Sequence, residues 1–178
     1  MMLNNNILNL RAVEPEDLDI LYRWENNTNL WIHGNSISPY SKQTLRQYIL
    51  DSQTSDIYQN KQLRLMIDLK SEGNKTIGAI DLYDLDIHNL RCGIGILLDK
   101  EYQKKGFAGI ALDLVKLYAF SFLRLHQLYA YIIADNKASI RLFEKSGFDR
   151  CGIFKEWICA TDDYKDVFIY QLIHKSDD

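Results

Sequence analysis

The sequence predicts an α/β (α+β) fold in which a mixed, mostly antiparallel sheet is flanked by helices. Segments that alternate apolar and polar residues, as strands do, are interspersed with segments whose apolar residues recur every three or four positions, as in helices. Strands follow one another closely in the middle of the chain and again near its end, which indicates hairpins, and a strand–helix–strand order separates the two groups. We interpret residues 1–178 as a single domain.

The first half of the chain predicts a strand, two helices and a hairpin. The predicted elements, in order, are a strand at 7–13, a helix at 15–25, a loop at 26–39, a helix from Ser41, and strands at 63–69 and 76–83. Pro15 suits the first turn of a helix, and Ser41 is a residue type favoured as a helix N-cap. The two strands alternate in hydrophobicity and are joined by a short glycine-containing turn, which is typical of a hairpin.

The second half predicts a strand–helix–strand–helix order and a closing strand pair. The predicted elements are a strand at 92–98, a helix of about five turns from Phe107, a strand at 128–134, a helix at 136–146, and strands at 148–160 and 167–173 joined by a turn at 161–163. The long helix is predicted because its apolar residues recur at intervals of three and four. Gly147 is a suitable residue to end the shorter helix.

Composition and charge are those of an ordinary globular protein. Of the 178 residues, 47% are hydrophobic and 25% are charged, and the formal net charge is -3. This mildly acidic balance argues against a nucleic-acid partner, which usually requires a basic face. No apolar run reaches transmembrane length and the first residues lack the features of a signal peptide, so we expect no membrane association and a cytoplasmic location. The three cysteines show no zinc-like spacing, and no metal site is predicted.

A basic, glycine-containing turn joins the strand at 92–98 to the long helix. It consists of Gln103, Lys104, Lys105, Gly106, Phe107, Ala108 and Gly109. The first backbone N–H groups of a helix are unpaired, and the helix dipole adds partial positive charge, so this turn is suited to bind an anion. Gly106 and Gly109 allow phosphates to approach the backbone without an intervening Cβ. The alternative is a solvated, lysine-rich turn.

Two motifs in a fixed order resemble the GNAT family of N-acetyltransferases. Residues 103–108 are similar to the family's pyrophosphate-binding motif Q/R-x-x-G-x-G/A, and residues 136–148 resemble its N-x-x-(S/A)-x-x-(L/I)-(F/Y)-x-x-x-G-F segment. The resemblance covers roughly the whole chain. Within the family it is nearest to the branch of ribosomal-protein and spermidine acetyltransferases, because Leu10 and Arg11 are followed by an acidic pair and a leucine at 16–18.

The resemblance implies that acetyl-CoA is the co-substrate. Its pyrophosphate would bind the amides of the basic turn, and its pantetheine arm would lie along the preceding strand where two strands separate, with Leu97 or Leu98 donating an N–H to the oxyanion. The predicted cofactor-binding residues are Ile96, Leu97, Leu98, Gln103, Lys104, Lys105, Gly106, Phe107, Ala108, Gly109, Asn136, Ser139, Phe143 and Lys145.

Two of these residues have a second interpretation, and a third differs from the residue that spermidine-type enzymes carry. Asn136 is equally suited to cap a helix, and Lys145 to be a solvated lysine at a helix end. Phe143 occupies the position where spermidine-type enzymes carry a tyrosine that protonates the leaving thiolate. Because phenylalanine has no proton to give, either Tyr102, Tyr131, Asn136 or a water serves as the acid, or the thiolate leaves unassisted.

For the acceptor, the resemblance points to Asp81 and Asp84, which match acidic positions of the spermidine-type enzymes. Together with Asn136 they are the candidate catalytic residues. Carboxylates there would attract a polyamine and could accept a proton. The alternative is that Asp81 faces water and that Asp84 begins a turn.

Other acceptor-side candidates are less specific. His33 and His88 are possible bases, and Trp24, Trp31 and Tyr40 could line a pocket through cation–π contacts or belong to the core. Glu25 with the two following asparagines resembles a stretch of the polyamine branch, but the loop at 34–38 lacks that branch's acidic residues.

The expected function is transfer of an acetyl group from acetyl-CoA to a primary amine, either a small amine or a polyamine. The alternatives are a protein N-terminal acetyltransferase of the ribosomal-protein type and a non-catalytic acyl-CoA-binding module. Since family members form dimers or larger rings, the resemblance also leaves a homo-oligomer open.

Overall fold

A computed structural model describes residues 2–34, 36–160 and 163–175. Its centre is one seven-stranded sheet with the strand order β1-β2-β3-β4-β5-β7-β6. The strands are β1 (Leu8–Ala12), β2 (Leu63–Leu69), β3 (Lys75–Asp86), β4 (Arg91–Leu98), β5 (Gln127–Ile133), β6 (Asp149–Cys159) and β7 (Tyr164–Ile173). Neighbouring strands are antiparallel except β4 and β5, which are parallel. The predicted mixed, mostly antiparallel sheet is therefore confirmed.

Six α-helices flank the sheet in the described part of the chain. They are α1 (Leu18–Glu25), α2 (Thr28–Trp31), α3 (Lys42–Thr54), α4 (Ile57–Asn60), α5 (Phe107–Leu117) and α6 (Lys137–Lys145). Short 3-10 turns at Pro15–Asp17, Lys70–Glu72 and Lys100–Tyr102 and a π-helical segment at Tyr118–Phe122 complete the helical structure. None of the described helices combines the length and apolar character that crossing a membrane requires.

Three helical segments differ from the sequence prediction, one of which is α4, where no element was predicted. Residues 26–39, predicted as a loop, contain α2, which begins because the Asn27 side chain accepts a hydrogen bond from the Asn29 N–H at 3.1 Å. The long helix predicted from Phe107 is α-helical only as far as Leu117 and continues as the π-helical segment. In the predicted turn at 161–163, residues 161 and 162 lie outside the described part of the chain.

The sheet has two different faces. The face carrying α5 and α6 holds the larger core, in which Leu112 and Val115 of α5 pack on the strands and are fully buried. The other face carries α1 and α3, whose Leu21 and Ile49 pack around Met66 of β2. Burial of side chains of this size stabilises the fold by roughly 1.5–3 kcal/mol each. Because this second cluster is small and lies over β2 and β3, much of the face formed by β5, β6 and β7 is left without a helix from α1 or α3.

Arg11 connects the edge strand to its neighbours. Its guanidinium donates to both carboxylate oxygens of Asp17 at 2.7 and 2.9 Å, to Asp68 of β2 at 2.7 Å, and to the Thr76 hydroxyl of β3 at 3.0 Å. Asp17 and Asp68 are the buried acidic residues of the described core, at 5% and 3% exposure. This network therefore satisfies two carboxylates whose burial would otherwise be costly.

Candidate functional site

Strands β4 and β5 pair only at their beginnings. The parallel register runs from Arg91 opposite Gln127 to Gly93 opposite Tyr129, and the described pairing stops there. Residues 94–98 of β4 and 130–133 of β5 then continue on separate neighbours, β3 and β7. We call the space between these two stretches the gap. It is the strand separation predicted from the sequence near residues 96–98.

The backbone of β4 presents polar groups to the gap. The Asp99 N–H donates to the Ile77 carbonyl at 2.9 Å, which places odd-numbered residues in the hydrogen-bonded positions towards β3. By alternation, the N–H and C=O groups of Ile96 and Leu98 point towards the gap, and those of Leu97 point towards β3. Of the two predicted oxyanion donors, Leu98 has the suitable direction.

The start of α5 has the geometry of an anion site. Gly106 is the N-cap residue in a left-handed conformation with φ 89°, and the first helical bond there runs from the Ile110 N–H to the Gly106 carbonyl at 3.3 Å. The amides of residues 107–109 thus precede the first bonded N–H of the helix. A Cβ built on Gly106 or Gly109 would meet no described atom within 4 Å, so the approach to these amides is open.

The side chains of the basic turn have different roles. The Gln103 side-chain amide donates to the Leu98 carbonyl at 2.9 Å, which ties the turn to the end of β4. Lys105 places its ammonium 5.3 Å from the centre of the Tyr102 ring. Lys104 and Lys105 are both exposed and add positive charge beside the α5 amides. Lys104 itself has φ 62°, a strained conformation for a lysine.

The residues predicted on the second motif are spread along α6. Asn136 is the N-cap of this helix, because its side-chain oxygen accepts from the Ser139 N–H at 3.1 Å, and both residues are half-buried. Phe143 is buried, with 3% exposure, and its ring packs edge-on against Phe148 at 5.0 Å. Lys145 ends the helix, on the order of 13 Å from Asn136 by helix rise. The structure therefore places Asn136 beside the end of β5 and Phe143 in the core.

The two candidate tyrosine acids lie in different places. The Tyr102 hydroxyl donates to Glu72 and accepts from Lys75, both at 2.7 Å, and the bond to Glu72 raises its pKa. Tyr102 is buried, with 3% exposure, at the start of the basic turn, and its hydroxyl proton is already donated to Glu72. Tyr131 of β5 is 50% exposed and lies two residues beyond Tyr129, where pairing with β4 ends. Tyr131 is therefore the tyrosine beside the gap.

Asp81 belongs to an ion-pair cluster. Arg64 of β2 lies directly opposite it and contacts it through two hydrogen bonds of 2.7 and 3.1 Å, while also donating to Glu25 of α1 at 2.6 Å. Burial alone would lower the pKa of Arg64, but the two carboxylates outweigh it and raise the pKa well above its ordinary value. The Arg64 guanidinium thus pairs with the carboxylates of both Asp81 and Glu25, and Asp81 does not simply face water. Arg64 was not predicted as this partner, because a register shift between β2 and β3 moves the pairing by one residue, and counting outward from the hairpin turn would place Arg64 opposite Ile80.

Asp84 has a different environment from Asp81. It lies at the irregularity where β3 shifts register against β4, with φ 50°, and its side chain is exposed. It makes no ion pair or side-chain hydrogen bond with the described residues. Its charge adds to the burial that raises the pKa of Tyr129 to about 12. The structure thus separates the predicted acidic pair into one engaged and one free carboxylate.

His33 lies on a cleft of about 420 Å³ that also contains Asn136. The loop after α2 places His33 on the cleft that Ile133, at the end of β5, also lines, and partial burial lowers the pKa of His33. His88, the other candidate base, is exposed at the β3–β4 turn, which is the opposite end of β4 from the gap. Only one of the two histidines is therefore near the predicted cofactor arm.

The three aromatic candidates also separate. Trp24 is buried in the smaller core and donates to Asp99 at 2.7 Å. Trp31 is half-buried and donates to the Glu25 carbonyl at 2.7 Å, next to the ion-pair cluster. Tyr40 is exposed, and its backbone is held by two hydrogen bonds to the Asn26 side chain. Trp24 is a core residue, as its alternative interpretation stated.

Comparison with known proteins relates this architecture to acetyltransferases. The model of the acetyltransferase (GNAT) domain matches residues 8–149. The spermidine N(1)-acetyltransferase of Vibrio cholerae serotype O1 is 26% identical over 163 residues, covering 92% of this chain and 91% of that protein. The spermidine N(1)-acetyltransferase of Escherichia coli strain K12 is 26% identical over 139 residues, covering 78% of this chain and 71% of that protein.

A solved structure gives the same result. Spermidine N-acetyltransferase from Vibrio cholerae in complex with CoA and spermine has a TM-score of 0.82 and 26% identity, covering 95% of this chain and 96% of that one. The family match extends over more than half of the sequence and includes the gap and the start of α5. The chain therefore belongs to the GNAT family and is an N-acetyltransferase with acetyl-CoA as its co-substrate.

Proposed function

We propose that the enzyme acetylates the primary amine of a small molecule, with polyamines among the candidates. The observation that carries the proposal is the exposed, free carboxylate of Asp84, which is close enough to Tyr83 and Tyr129, where the pairing of β4 with β5 ends, to help raise the pKa of both. A carboxylate in that position would attract an ammonium group to the side from which a thioester in the gap is accessible. Two relatives are spermidine acetyltransferases, which supports a small amine as the acceptor of this enzyme.

For the cofactor, we propose that the amides of residues 107–109 bind the pyrophosphate. Three features support this: unpaired N–H groups, the absence of a Cβ at two positions, and the neighbouring charges of Lys104 and Lys105. The pantetheine arm would then follow β4 and bond to the backbone of Ile96 and Leu98. Gln103 supports this arrangement indirectly, by holding the turn against the end of the strand.

The chemistry we propose is direct transfer. The neutral amine nitrogen attacks the thioester carbonyl and the carbon–sulfur bond breaks. The nitrogen loses one proton and the thiolate takes up one, giving an amide and CoA thiol. The Leu98 N–H would stabilise the oxyanion. His33 or Asp84 would accept the proton that the ammonium loses, and Tyr131 would supply the proton for the thiolate. Asn136 would orient the cofactor arm from the end of β5.

Asp81 acts, in this proposal, by holding Arg64 in position. Because Arg64 serves both Asp81 and Glu25, the cluster is a charged wall of the acceptor site with a net negative charge. The Tyr48 ring, 5.7 Å from the guanidinium carbon, packs on its other side. The ammonium group of an acceptor would therefore be attracted less strongly to this cluster than to the free carboxylate of Asp84.

We also propose that residues 1–178 form a single domain, that the enzyme forms a homo-oligomer, and that it is cytoplasmic. One continuous sheet uses strands from both ends of the chain, which supports the single domain. One structure of the Vibrio cholerae relative is dodecameric, with a TM-score of 0.78, which supports an oligomer. All three cysteines are free thiols, which fits a reducing compartment.

The test is consumption of acetyl-CoA with a panel of butylamine, phenethylamine, spermidine and a peptide with a free N-terminus. We expect turnover with one or more of the small amines and none with the peptide. Asp84→Asn should lower kcat/KM for the amines by on the order of tenfold, a loss of about 1.4 kcal/mol. The control Asp51→Asn removes an exposed carboxylate on α3 and should change nothing. Turnover of the peptide alone would contradict the proposal.

A further inference from the structure

Five aromatic side chains form a continuous row on the sheet face opposite α5 and α6, which we call the aromatic row. Its members are Tyr83, Tyr129, Tyr131, Phe154 and Trp157. Successive ring centres are 6.1, 5.4, 5.9 and 4.5 Å apart. The row therefore crosses the sheet from β3, over β5, to β6.

The row begins at the gap. The Tyr83 ring lies directly over Gly93, where an added Cβ would come within 2.2 Å of it, so that glycine makes room for the ring. Tyr129 is the β5 residue opposite Gly93 in the last paired position, and Tyr131 is the next residue on the same face. An amine held on these rings would thus be next to a thioester lying in the gap.

The outer end of the row depends on an irregularity in β6. Phe154 and Trp157 are three residues apart, and in a regular strand such residues face opposite sides. Here the register shifts between Phe154 and Ile158, and Glu156 has φ 50°. The irregularity brings the two rings into a stack while Trp157 stays 63% exposed. The large apolar surface of Trp157 is thus exposed to solvent, although burying it would stabilise the fold.

The charges around the row favour one ammonium group. Among the described residues, Asp84 is the free carboxylate at the gap end of the row, whereas Asp81 and Glu25 are both bound by Arg64. Glu156, whose side chain also has no ion pair with the described residues, is next to Trp157 at the other end of the row.

The Tyr83 and Tyr129 phenols are neutral at neutral pH, because burial raises the pKa of both and Asp84 raises it further. The face of an aromatic ring attracts a cation, and it also stacks with a flat apolar group. A polyamine carries several separated charges and has no flat apolar group to stack on the rings, whereas an aromatic monoamine can place its one charge at Asp84 and its ring on the row.

We propose that the acceptor is a monoamine with an aromatic body, whose ammonium group reaches Asp84 while its ring lies on the aromatic row. This proposal rests on the proposed function, transfer to a small amine, and narrows its substrate class. Tyr83, Tyr129 and Tyr131 form the part of the row near the gap, and Phe154 and Trp157 determine specificity for the body of the acceptor.

The experiment compares kcat/KM for phenethylamine, butylamine and spermidine. We expect phenethylamine to exceed each of the others by on the order of tenfold. Trp157→Leu and Phe154→Leu should each remove most of this preference and leave the KM for acetyl-CoA unchanged. Tyr58→Leu, which removes a 49% exposed ring on α4, is the matched control and should keep the preference. Tyr131→Phe keeps the ring, so it should keep the preference even if kcat falls.

Three outcomes would overturn the inference. A preference for spermidine or butylamine would leave the small-amine function intact and exclude the aromatic acceptor. An unchanged preference in Trp157→Leu, together with a changed sedimentation coefficient, would show instead that the row is an interface between copies of this chain. Failure of every small amine to react would remove the proposed function and this inference with it. Because Trp157 is largely exposed, its replacement should leave the melting temperature nearly unchanged, and loss of folding would not explain the result.

Discussion

His33 has the properties expected of a residue that accepts a proton from an amine. It lies on the cleft that contains Asn136, and partial burial holds the pKa of its imidazole below the ordinary value of 6.5. The neutral form, which can accept a proton, is therefore the main form at neutral pH.

The first prediction at this scale is a pH dependence. If His33 is the base, kcat should be constant at neutral pH and fall as the pH decreases below 6.5, because protonation removes the base. His33→Gln should lower kcat on the order of 100-fold and abolish this acid limb. His88→Gln, at the exposed β3–β4 turn, is the control and should behave like the wild type. An acid limb that persists in His33→Gln would assign the titration to another group.

Individual residues differ in how far the sequence predicts them. Ser41 and Asn136 cap their helices as predicted, because an N-cap bond joins residues three positions apart. The partner of Asp81 was missed, because Arg64 is 17 residues away and meets it only through the strand register. The register also separates Leu97 from Leu98 as oxyanion donors, which the local pattern leaves as equals.

At the scale of elements, the start of α5 combines an unusual backbone with an open surface. Gly106 has φ 89°, which a β-branched residue rarely adopts, and its Cβ position is empty. Substitution there should thus act in two ways. It should strain the turn in the free enzyme, and it should crowd the phosphates when the cofactor binds.

We predict that Gly106→Val lowers the free energy of unfolding by about 1–2 kcal/mol and raises the KM for acetyl-CoA on the order of tenfold. The measurements are denaturant unfolding and steady-state kinetics. Gly147→Val is the matched control, because Gly147 has φ 90° after α6 and a Cβ there would meet only Leu172, at 3.7 Å. It should lose similar stability and keep the KM. A KM that stays constant in Gly106→Val would place the pyrophosphate elsewhere.

The elements themselves follow the sequence to different degrees. The seven strands lie within a few residues of their predictions, because alternation and periodicity are strong over segments of this length. The four-residue helices α2 and α4 were not predicted, since one turn is too short for a periodic signal. The change from α to π geometry after Leu117 likewise leaves no mark in the apolar spacing.

For the whole molecule, the Arg11 network joins strands from separate parts of the chain. We predict that Arg11→Ala lowers the free energy of unfolding by roughly 3 kcal/mol, because it leaves two buried carboxylates without their cation. This value is at the lower end of the usual range because the Arg11 side chain is 29% exposed. Denaturant unfolding measures it.

Two further variants check the explanation. Arg46→Ala removes an exposed arginine on α3 and should change stability by less than about 0.5 kcal/mol. Asp68→Asn added to Arg11→Ala should recover part of the loss, since it removes one of the unpaired charges. If Arg11→Ala were no more destabilising than Arg46→Ala, the buried carboxylates would have another source of stabilisation.

The amino-acid sequence was sufficient for the fold class, the family, the position of the basic turn at the start of α5 and the helix caps. These features depend on residues within a few positions of one another, where spacing alone controls which groups meet. The engagement of Asp81, the freedom of Asp84, the position of His33 and the aromatic row required the folded chain. They depend on the strand register and on the irregularities in β3 and β6. They also depend on contacts between residues that are dozens of positions apart in the sequence, which local patterns do not specify. The residues proposed to bind the cofactor thus lie close together in the sequence, whereas those proposed for the acceptor are brought together by folding.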